Sequence, residues 1–160
     1  MPMKPTVYLE TTIVSYLTGR ISRDLIVAAQ QQVTREWWER RRYAFTLCVS
    51  DIVIDEAAAG DSDAASRRLD AIEGIESLEA DTRAERLTLA LLKDRALPAE
   101  AGADAAHIAI AAVHRIQYLL TWNCRHIHNA EMLPVVQSVC RKGGYRCPII
   151  CTPQELMGDQ

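Results

Sequence analysis

The stretch Thr6-Val-Tyr-Leu-Glu-Thr-Thr-Ile-Val-Ser-Tyr-Leu17 decides the fold of this chain. Its first four residues are β-branched, aromatic and aliphatic, which predicts a buried strand. Glu10 follows this strand directly, and either of the next two threonines can cap a helix whose apolar residues recur at helical spacing. Ligands bind at the carboxyl ends of the strands in an open α/β sheet. Glu10 is therefore predicted to lie at a ligand-binding edge, with helix capping or exposure to water as the alternative.

The composition indicates one globular domain spanning residues 1–160. A chain of 160 residues is long enough to bury a sizeable core. Apolar residues make up 49% of the chain and charged residues 24%, which is ordinary for a soluble globular protein. The formal net charge of -3 excludes a globally basic nucleic-acid binder, although it leaves room for a local basic patch.

The sequence contains no visible signal for export or membrane insertion. Residues 1–5 lead directly into the first strand, without the apolar segment of a signal peptide. The longest apolar stretch, 103–121, is interrupted by aspartate, histidine and arginine side chains, so no membrane span is expected. Five cysteines without disulfide-like spacing are typical of a reducing compartment. We therefore expect a cytoplasmic protein.

Predicted strands and helices alternate along the whole chain. The strands are predicted at residues 6–9, 45–49, 76–80, 118–121 and 148–151. After the first helix, further helices are predicted at residues 23–41 with Ser22 as cap, and at 51–59, 63–72, 82–95, 103–114 and 134–141, with a short helix starting at Thr152-Pro153. This alternation predicts an α/β fold, a three-layer sandwich with a mainly parallel sheet flanked by helices.

Four polar side chains are predicted to meet at the carboxyl edge of this sheet. Glu10 ends the first strand, and Asn123 follows the fourth. Glu56 lies inside an apolar helix, and Asp104 begins the most apolar helix of the chain. Because an unpaired buried carboxylate is costly, these acids require partners. The residues themselves leave two interpretations open, namely arginine or helix-dipole partners, or a shared hard cation such as Mg²⁺ or Mn²⁺.

Four segments resemble the signature blocks of PIN-domain ribonucleases and occur in that family's order. They are Tyr8–Leu17, Ser50–Glu56, Asp104–Ala111 and Leu119–His126. The resemblance covers nearly the whole chain and is strongest to the VapC-like toxins of type II toxin–antitoxin systems. It implies a PIN-like parallel sheet flanked by helices, a metal-dependent site that cleaves RNA, an antitoxin protein as partner and a homodimer.

The resemblance also implies which residues form the site. The family's acidic positions correspond to Glu10, Glu56, Asp104 and Asn123, as catalytic residues and as ligands of Mg²⁺ or Mn²⁺. Glu10 stands where the family usually has aspartate, and the neutral Asn123 stands where another aspartate is common. In such a site the ion lowers the pKa of a bound water, which attacks the phosphodiester.

Four further residues are candidates for substrate binding. Thr12 can bond a metal-bound water or a phosphate oxygen, or it can simply cap its helix. His107 lies one turn after Asp104, so it faces either the site or the core. Arg125 and His126 follow the fourth strand, and Arg125 can hold a substrate phosphate or pair with a local acid.

A zinc site is a competing interpretation of the last third of the chain. Cys124, His126, His128, Cys140, Cys147 and Cys151 are zinc-type ligands. Their spacings do not match the paired ligands of structural zinc sites, which argues against this interpretation.

One surface prediction concerns the end of the second predicted helix. The basic cluster Glu39–Arg42 is interpreted as a solvated helix end rather than a phosphate-binding patch. The adjacent Trp37 and Trp38 can hardly both face one core, so exposed apolar surface and a homodimer are expected.

Two alternative functions remain. The first is a catalytically weakened PIN-like domain that binds RNA or a protein, which the neutral Asn123 favours. The second is an unrelated α/β domain that binds a small phosphorylated ligand at the same edge, although no glycine-rich phosphate loop follows any strand.

Overall fold

A computed structural model describes residues 2–158 of the chain. Its strands are β1 Thr6–Leu9, β2 Thr46–Ser50, β3 Glu76–Leu78, β4 Tyr118–Leu120 and β5 Ile149–Cys151. Its α-helices are α1 Thr11–Thr18, α2 Leu25–Arg41, α3 Asp51–Ala57, α4 Ser62–Ile72, α5 Thr82–Lys93, α6 Gly102–Val113 and α7 Leu133–Lys142. Across residues 2–158, no helix combines the length and the apolar character needed to span a bilayer.

The five strands form one sheet in which every neighbouring pair is parallel, with the order β3-β2-β1-β4-β5. β1 is the central strand, where Val7 pairs with Leu47 of β2 and with Tyr118 of β4. Helices flank the sheet, so the predicted PIN-like α/β fold is confirmed. Parallel sheets are covered on both faces, which explains why β1 reads as a continuous apolar run rather than an alternating one.

The core is built around β1 and α6. Val7, Tyr8 and Leu9 have no exposed side-chain surface. In α6, eight of the twelve residues are buried, which accounts for a sequence that is apolar nearly all round. Full burial of one large aliphatic side chain stabilises the fold by about 1.5–3 kcal/mol. The helix that carries Asp104 and His107 is therefore held rigidly in the interior.

The carboxyl ends of β1, β2 and β4 lie at one edge of the sheet because the strands are parallel. Ser50 ends β2 and caps α3, since its hydroxyl accepts a hydrogen bond from the Val53 amide at 3.2 Å. At the end of β1 the cap is Glu10 itself, whose carboxylate accepts from the Thr12 amide at 3.1 Å. The prediction that a threonine caps α1 is therefore wrong, and the alternative that Glu10 caps it is confirmed, because Glu10 has the extended backbone of a cap residue whereas both threonines already lie inside the helix.

Other helix ends differ from the predictions by one or two residues. α2 begins at Leu25 because Asp24, rather than Ser22, accepts hydrogen bonds from the first free amides of the helix. α4 begins at Ser62 because Asp61 is its cap. Residues 153–156 form turns and not the predicted short helix.

The two tryptophans at the end of α2 are both covered by their own chain. Trp37 is completely buried, and its indole nitrogen donates to the Leu156 carbonyl at 3.2 Å. Trp38 is half-buried, and the guanidinium carbon of Arg42 lies 5.0 Å from its ring centroid. Because Trp37 lies in the core whereas Trp38 is only half-buried, the two side chains do not share one fully buried environment, and the homodimer stays a prediction.

The basic cluster at the end of α2 precedes β2 and therefore lies at the amino edge of the sheet, opposite Glu10. Arg42 donates to the Trp38 carbonyl at 2.7 Å, and the guanidinium of Arg41 lies 5.4 Å from the Phe45 ring centroid. Two of its three arginines thus have partners within the chain, and the cluster lies away from the carboxyl edge.

Candidate active site at the carboxyl edge of the sheet

Glu10 is a buried carboxylate held by two neighbouring strand ends. Only 3% of its surface is exposed. Its Oε1 accepts hydrogen bonds from the hydroxyls of Thr12 at 2.6 Å and Thr121 at 2.5 Å, and its Oε2 accepts from the Thr12 amide. Three neutral donors thus offset much of the cost of burying this acid, while Oε2 keeps one lone pair without a protein donor among residues 2–158.

Glu56 ends a chain of hydrogen bonds that enters the core. Its Oε1 accepts from the Thr11 hydroxyl at 2.6 Å and lies 2.6 Å from Nε2 of His107. Nδ1 of His107 lies 2.6 Å from the Tyr8 hydroxyl, which in turn lies 2.7 Å from the Ser50 hydroxyl. The His107 side chain is completely buried, whereas 38% of the Glu56 side chain is exposed. This run of hydrogen bonds, from Ser50 to Glu56, therefore connects the interior with the surface of the site.

The surroundings of Glu56 favour its ionised form. Partial burial is the largest single influence and by itself raises the pKa of this carboxyl. The hydrogen bonds from His107 and Thr11 act in the opposite direction and leave the pKa of Glu56 below its ordinary value of 4.5. Glu56 is consequently a carboxylate at neutral pH.

Asp104 pairs with two residues that follow β4. Its Oδ1 accepts from the amide nitrogen of Asn123 at 3.1 Å, and its Oδ2 lies 2.9 Å from Nδ1 of His126. The amide oxygen of Asn123 accepts from the His126 backbone amide at 3.0 Å. This last bond determines the orientation of the Asn123 amide, because a rotated amide would bring two donors together.

The structure therefore gathers most of the predicted site at one edge. The four predicted residues follow or cover the carboxyl ends of β1, β2 and β4. They form three hydrogen-bonded groups, which are Glu10 with Thr121, Glu56 with Thr11 and His107, and Asp104 with Asn123 and His126. His107 contacts Glu56, and His126 contacts Asp104.

The other candidate substrate contacts differ in how far they are already engaged. The Thr12 hydroxyl donates to Glu10 and accepts from the Trp122 amide at 2.9 Å, so it joins the ends of β1 and β4. His107 has no exposed surface with which to contact a substrate. Arg125 is exposed, and within residues 2–158 its guanidinium has no hydrogen bond or ion pair. Their role in binding substrate stays a prediction.

Sequence reasoning missed the residues that hold the acids in place. Thr121 donates to Glu10, and Thr11 donates to Glu56. The Tyr8 hydroxyl contacts both His107 and the hydroxyl of Ser50. One signal was available: a tyrosine in a fully buried strand needs a partner for its hydroxyl. The identity of that partner, 99 positions away in the chain, could not be inferred from local pattern.

The donors of this site match a hard cation in chemistry but not in arrangement. Carboxylate and amide oxygens are the ligands that Mg²⁺ and Mn²⁺ prefer. Within residues 2–158, however, no three histidine, cysteine, aspartate or glutamate side chains are arranged so that one ion could contact them together. Each acid instead accepts hydrogen bonds from its own chain. Binding of one ion by several of them would therefore require these side chains to move closer together.

The zinc-type ligands do not gather at one point either, as far as the described residues go. Cys124 is exposed on the segment after β4, whereas Cys140 and Cys151 are buried. The zinc interpretation gains no support from this placement.

Comparison with known proteins gives a structural match. No family model matches the chain, and no curated protein matches it in sequence. A chain in the crystal structure of VapBC2 from Rickettsia felis, bound to a DNA fragment from their promoter, superimposes with a TM-score of 0.59 and 14% sequence identity. The match covers 92% of the present chain and 98% of the other. At this identity the likeness concerns the fold, and it agrees with the PIN-like α/β architecture described above.

Proposed function

We propose that this chain is a metal-dependent endoribonuclease that hydrolyses RNA phosphodiester bonds, and that it is the toxin of a type II toxin–antitoxin pair. The observation that carries the proposal is the position of Glu10, Glu56 and Asp104 around the carboxyl ends of adjacent parallel strands, in the order and on the elements that the resemblance to PIN-domain ribonucleases implies. The likeness in fold to a chain of VapBC2 supports the same class.

In this proposal the acids hold Mg²⁺ or Mn²⁺ directly or through water. The ion would supply an activated water and offset charge on the phosphoryl group. Glu56 Oε2 accepts no hydrogen bond from residues 2–158, because both of its neighbours donate to Oε1. Glu56 is therefore the acid that can bind a ligand with the least rearrangement. Arg125, whose guanidinium has no partner among residues 2–158, is the residue that we propose to hold a substrate phosphate.

Protein partners form a second part of the proposal. The structure with the similar fold is of VapBC2 bound to a DNA fragment from their promoter. By analogy we propose that the present chain binds an antitoxin protein. The start of α2 exposes large apolar side chains, with Leu25 86% and Ile26 71% exposed. Contiguous exposed apolar residues mark interaction surfaces. We propose that this segment forms the homodimer contact that the tryptophans do not explain.

A catalytically weakened domain that binds RNA or a protein is the alternative. The specific observation in its favour is Asn123, whose amide nitrogen donates to Asp104 while its oxygen accepts from the His126 backbone. Such a side chain offers no negative charge to an ion, and its oxygen already accepts one hydrogen bond. Metal affinity at oxygen sites follows the number of charged ligands.

Cleavage of labelled RNA in the presence of Mn²⁺ or Mg²⁺ tests the proposal, with EDTA and single-stranded DNA as controls. Asp104→Asn should lower cleavage on the order of 100-fold or more, because it removes charge from the ion site. Asp63→Asn, an exposed change in the first turn of α4, is the matched control and should cleave like the parent. RNA binding without cleavage under all metal conditions would support the weakened domain instead.

A further inference from the structure

The hydrogen bonds that lead from β2 to Glu56 have a single direction. The Val53 amide can only donate, and it donates to the Ser50 hydroxyl oxygen at 3.2 Å. Among residues 2–158 the only acceptor within reach of the buried Ser50 hydroxyl is the Tyr8 oxygen, 2.7 Å away, so the Ser50 proton is donated to Tyr8. Burial is the main cause that raises the pKa of Tyr8 well above its ordinary value, so its hydroxyl keeps its proton. Tyr8 therefore donates its proton to Nδ1 of His107, which lies 2.6 Å from the Tyr8 oxygen.

The other end of the chain requires the same direction. Glu56 is ionised, so its Oε1 can only accept, and Nε2 of His107 lies 2.6 Å from it. A nitrogen with a lone pair at that distance would bring two acceptors together, and Nε2 must therefore carry a proton. Nδ1 is then the acceptor of the neutral ring, in agreement with donation by Tyr8. Both ends thus select the tautomer of His107 with its proton on Nε2.

This arrangement determines which oxygen of Glu56 remains available. His107 and Thr11 both donate to Oε1. Two donors on one oxygen restrict rotation of the carboxylate and direct the second oxygen, Oε2, away from the protein donors. Among residues 2–158 no donor contacts Oε2, and 38% of the Glu56 side chain is exposed.

We propose that Ser50, Tyr8 and His107 are positioning residues that hold Glu56 through one oxygen and present the other, Oε2, to a divalent cation or to the attacking water. His107 acts on Glu56 and contacts no substrate, and Tyr8 acts by determining the tautomer of His107. The part that concerns the cation and the water rests on the proposed nuclease function, whereas the direction of the hydrogen-bond chain does not.

The tautomer can be measured without any enzymatic activity. Nitrogen-15 NMR of the histidine side chains distinguishes a ring protonated at Nε2 from one protonated at Nδ1 or at both nitrogens. The parent protein should show His107 protonated at Nε2 alone. Tyr8→Phe, which removes only the hydroxyl, should leave Nδ1 without its donor and change the chemical shift of that nitrogen. Tyr118→Phe is the matched control, because the Tyr118 hydroxyl has no hydrogen bond in the described structure and should leave the His107 signals unchanged.

The effect on Glu56 is measured by Mn²⁺ titration and by steady-state RNA cleavage. Removing a residue that orients a metal ligand lowers metal affinity or activity by about 10–100-fold. His107→Leu should show a loss of that size in Mn²⁺ affinity or in kcat, with little change in KM for RNA. His107→Gln keeps an N–H donor close to the position of Nε2 and should recover to within about tenfold of the parent. A role for His107 in core packing alone would make the leucine variant the better one.

The outcomes separate this inference from the proposed function. Protonation of His107 at Nδ1 or at both nitrogens in the parent would overturn the hydrogen-bond chain, whatever the activity. If the parent cleaves RNA and both Tyr8→Phe and His107→Leu cleave and bind Mn²⁺ like it, the positioning role is wrong while the nuclease function stands. If the parent neither cleaves RNA nor binds Mn²⁺, the proposed function and the presentation of Oε2 to an ion both fail. The NMR result then still tests the direction of the hydrogen bonds from Ser50 to Glu56.

Discussion

The hydroxyl of Thr121 donates to Oε1 of Glu10 across 2.5 Å, although the two residues lie 111 positions apart in the chain. Glu10 follows β1 and Thr121 follows β4, and these two strands are hydrogen-bonded neighbours. The same threonine oxygen accepts from the Asn123 backbone amide at 2.9 Å. One side chain therefore couples the buried acid of the first strand to the segment that carries Asn123 and His126.

Replacement of Thr121 by valine should destabilise the fold. The change removes one of the three donors to the buried carboxylate of Glu10. It also removes the acceptor of the Asn123 backbone amide. Each buried polar group left unsatisfied costs about 1–3 kcal/mol. We expect the free energy of unfolding in urea to fall by about that amount. Thr88→Val is the control, because the Thr88 hydroxyl donates only to the Ala84 carbonyl within α5. Equal stability of the two variants would show that the contact with Glu10 contributes little.

Replacement of Asn123 by aspartate should have opposite effects with and without a metal ion. The amide nitrogen that now donates to Asp104 at 3.1 Å would become a carboxylate oxygen facing another carboxylate. We expect a lower melting temperature in EDTA because like charges repel, and tighter Mn²⁺ binding because the site gains a charged ligand. Calorimetric titration and thermal unfolding with and without Mn²⁺ measure both effects. Asn123→Ala, which loses the hydrogen bond without adding charge, should bind Mn²⁺ no more tightly than the parent.

The stability contributed by the charge of Glu56 should disappear in acid. Because its folded-state pKa lies below the ordinary value of 4.5, this contribution is fully present above 4.5 and is lost as the pH falls through the lower folded value. Glu56→Gln retains an acceptor oxygen but no charge, so it should be less stable than the parent at neutral pH and approach it below 4.5. Urea unfolding over this pH range checks the expectation. Glu131→Gln, at an exposed glutamate whose carboxylate has no partner among residues 2–158, is the control and should be as stable as the parent at neutral pH.

The exposed start of α2 should control self-association. Leu25→Glu combined with Ile26→Glu places two acids in the first turn of a helix, where they suit the helix dipole and should not disturb the fold. We expect the parent to sediment as a dimer at micromolar concentration and the double variant to sediment as a monomer. Leu89→Glu, which charges another exposed leucine, on α5, should remain dimeric. A parent that sediments only as a monomer would refute the proposed dimer contact.

The sequence predicted most of what depends on neighbours along the chain. Strand β1 agrees with its predicted bounds, and the other strands agree to within one or two residues, because period and β-branched content are local properties. The apolar composition of α6 correctly indicated burial on several sides. Helix starts were less predictable: several polar residues stand near each start, and the residue whose side chain reaches the free amides is selected by backbone geometry, as Asp24 and Glu10 show.

Sequence alone thus determined the alternation of strands and helices, the parallel α/β class and the placement of Glu10 at the carboxyl end of the first strand. Only the tertiary structure decided the strand order, and with it the contacts of Glu10 with Thr121, of Glu56 with His107 and of Asp104 with Asn123. The physical reason is the separation along the chain of the residues that interact. Local periodicity follows from the repeat of a single strand or helix, whereas the partner of a buried polar group is set by which distant segments pack together, and that depends on the whole core at once.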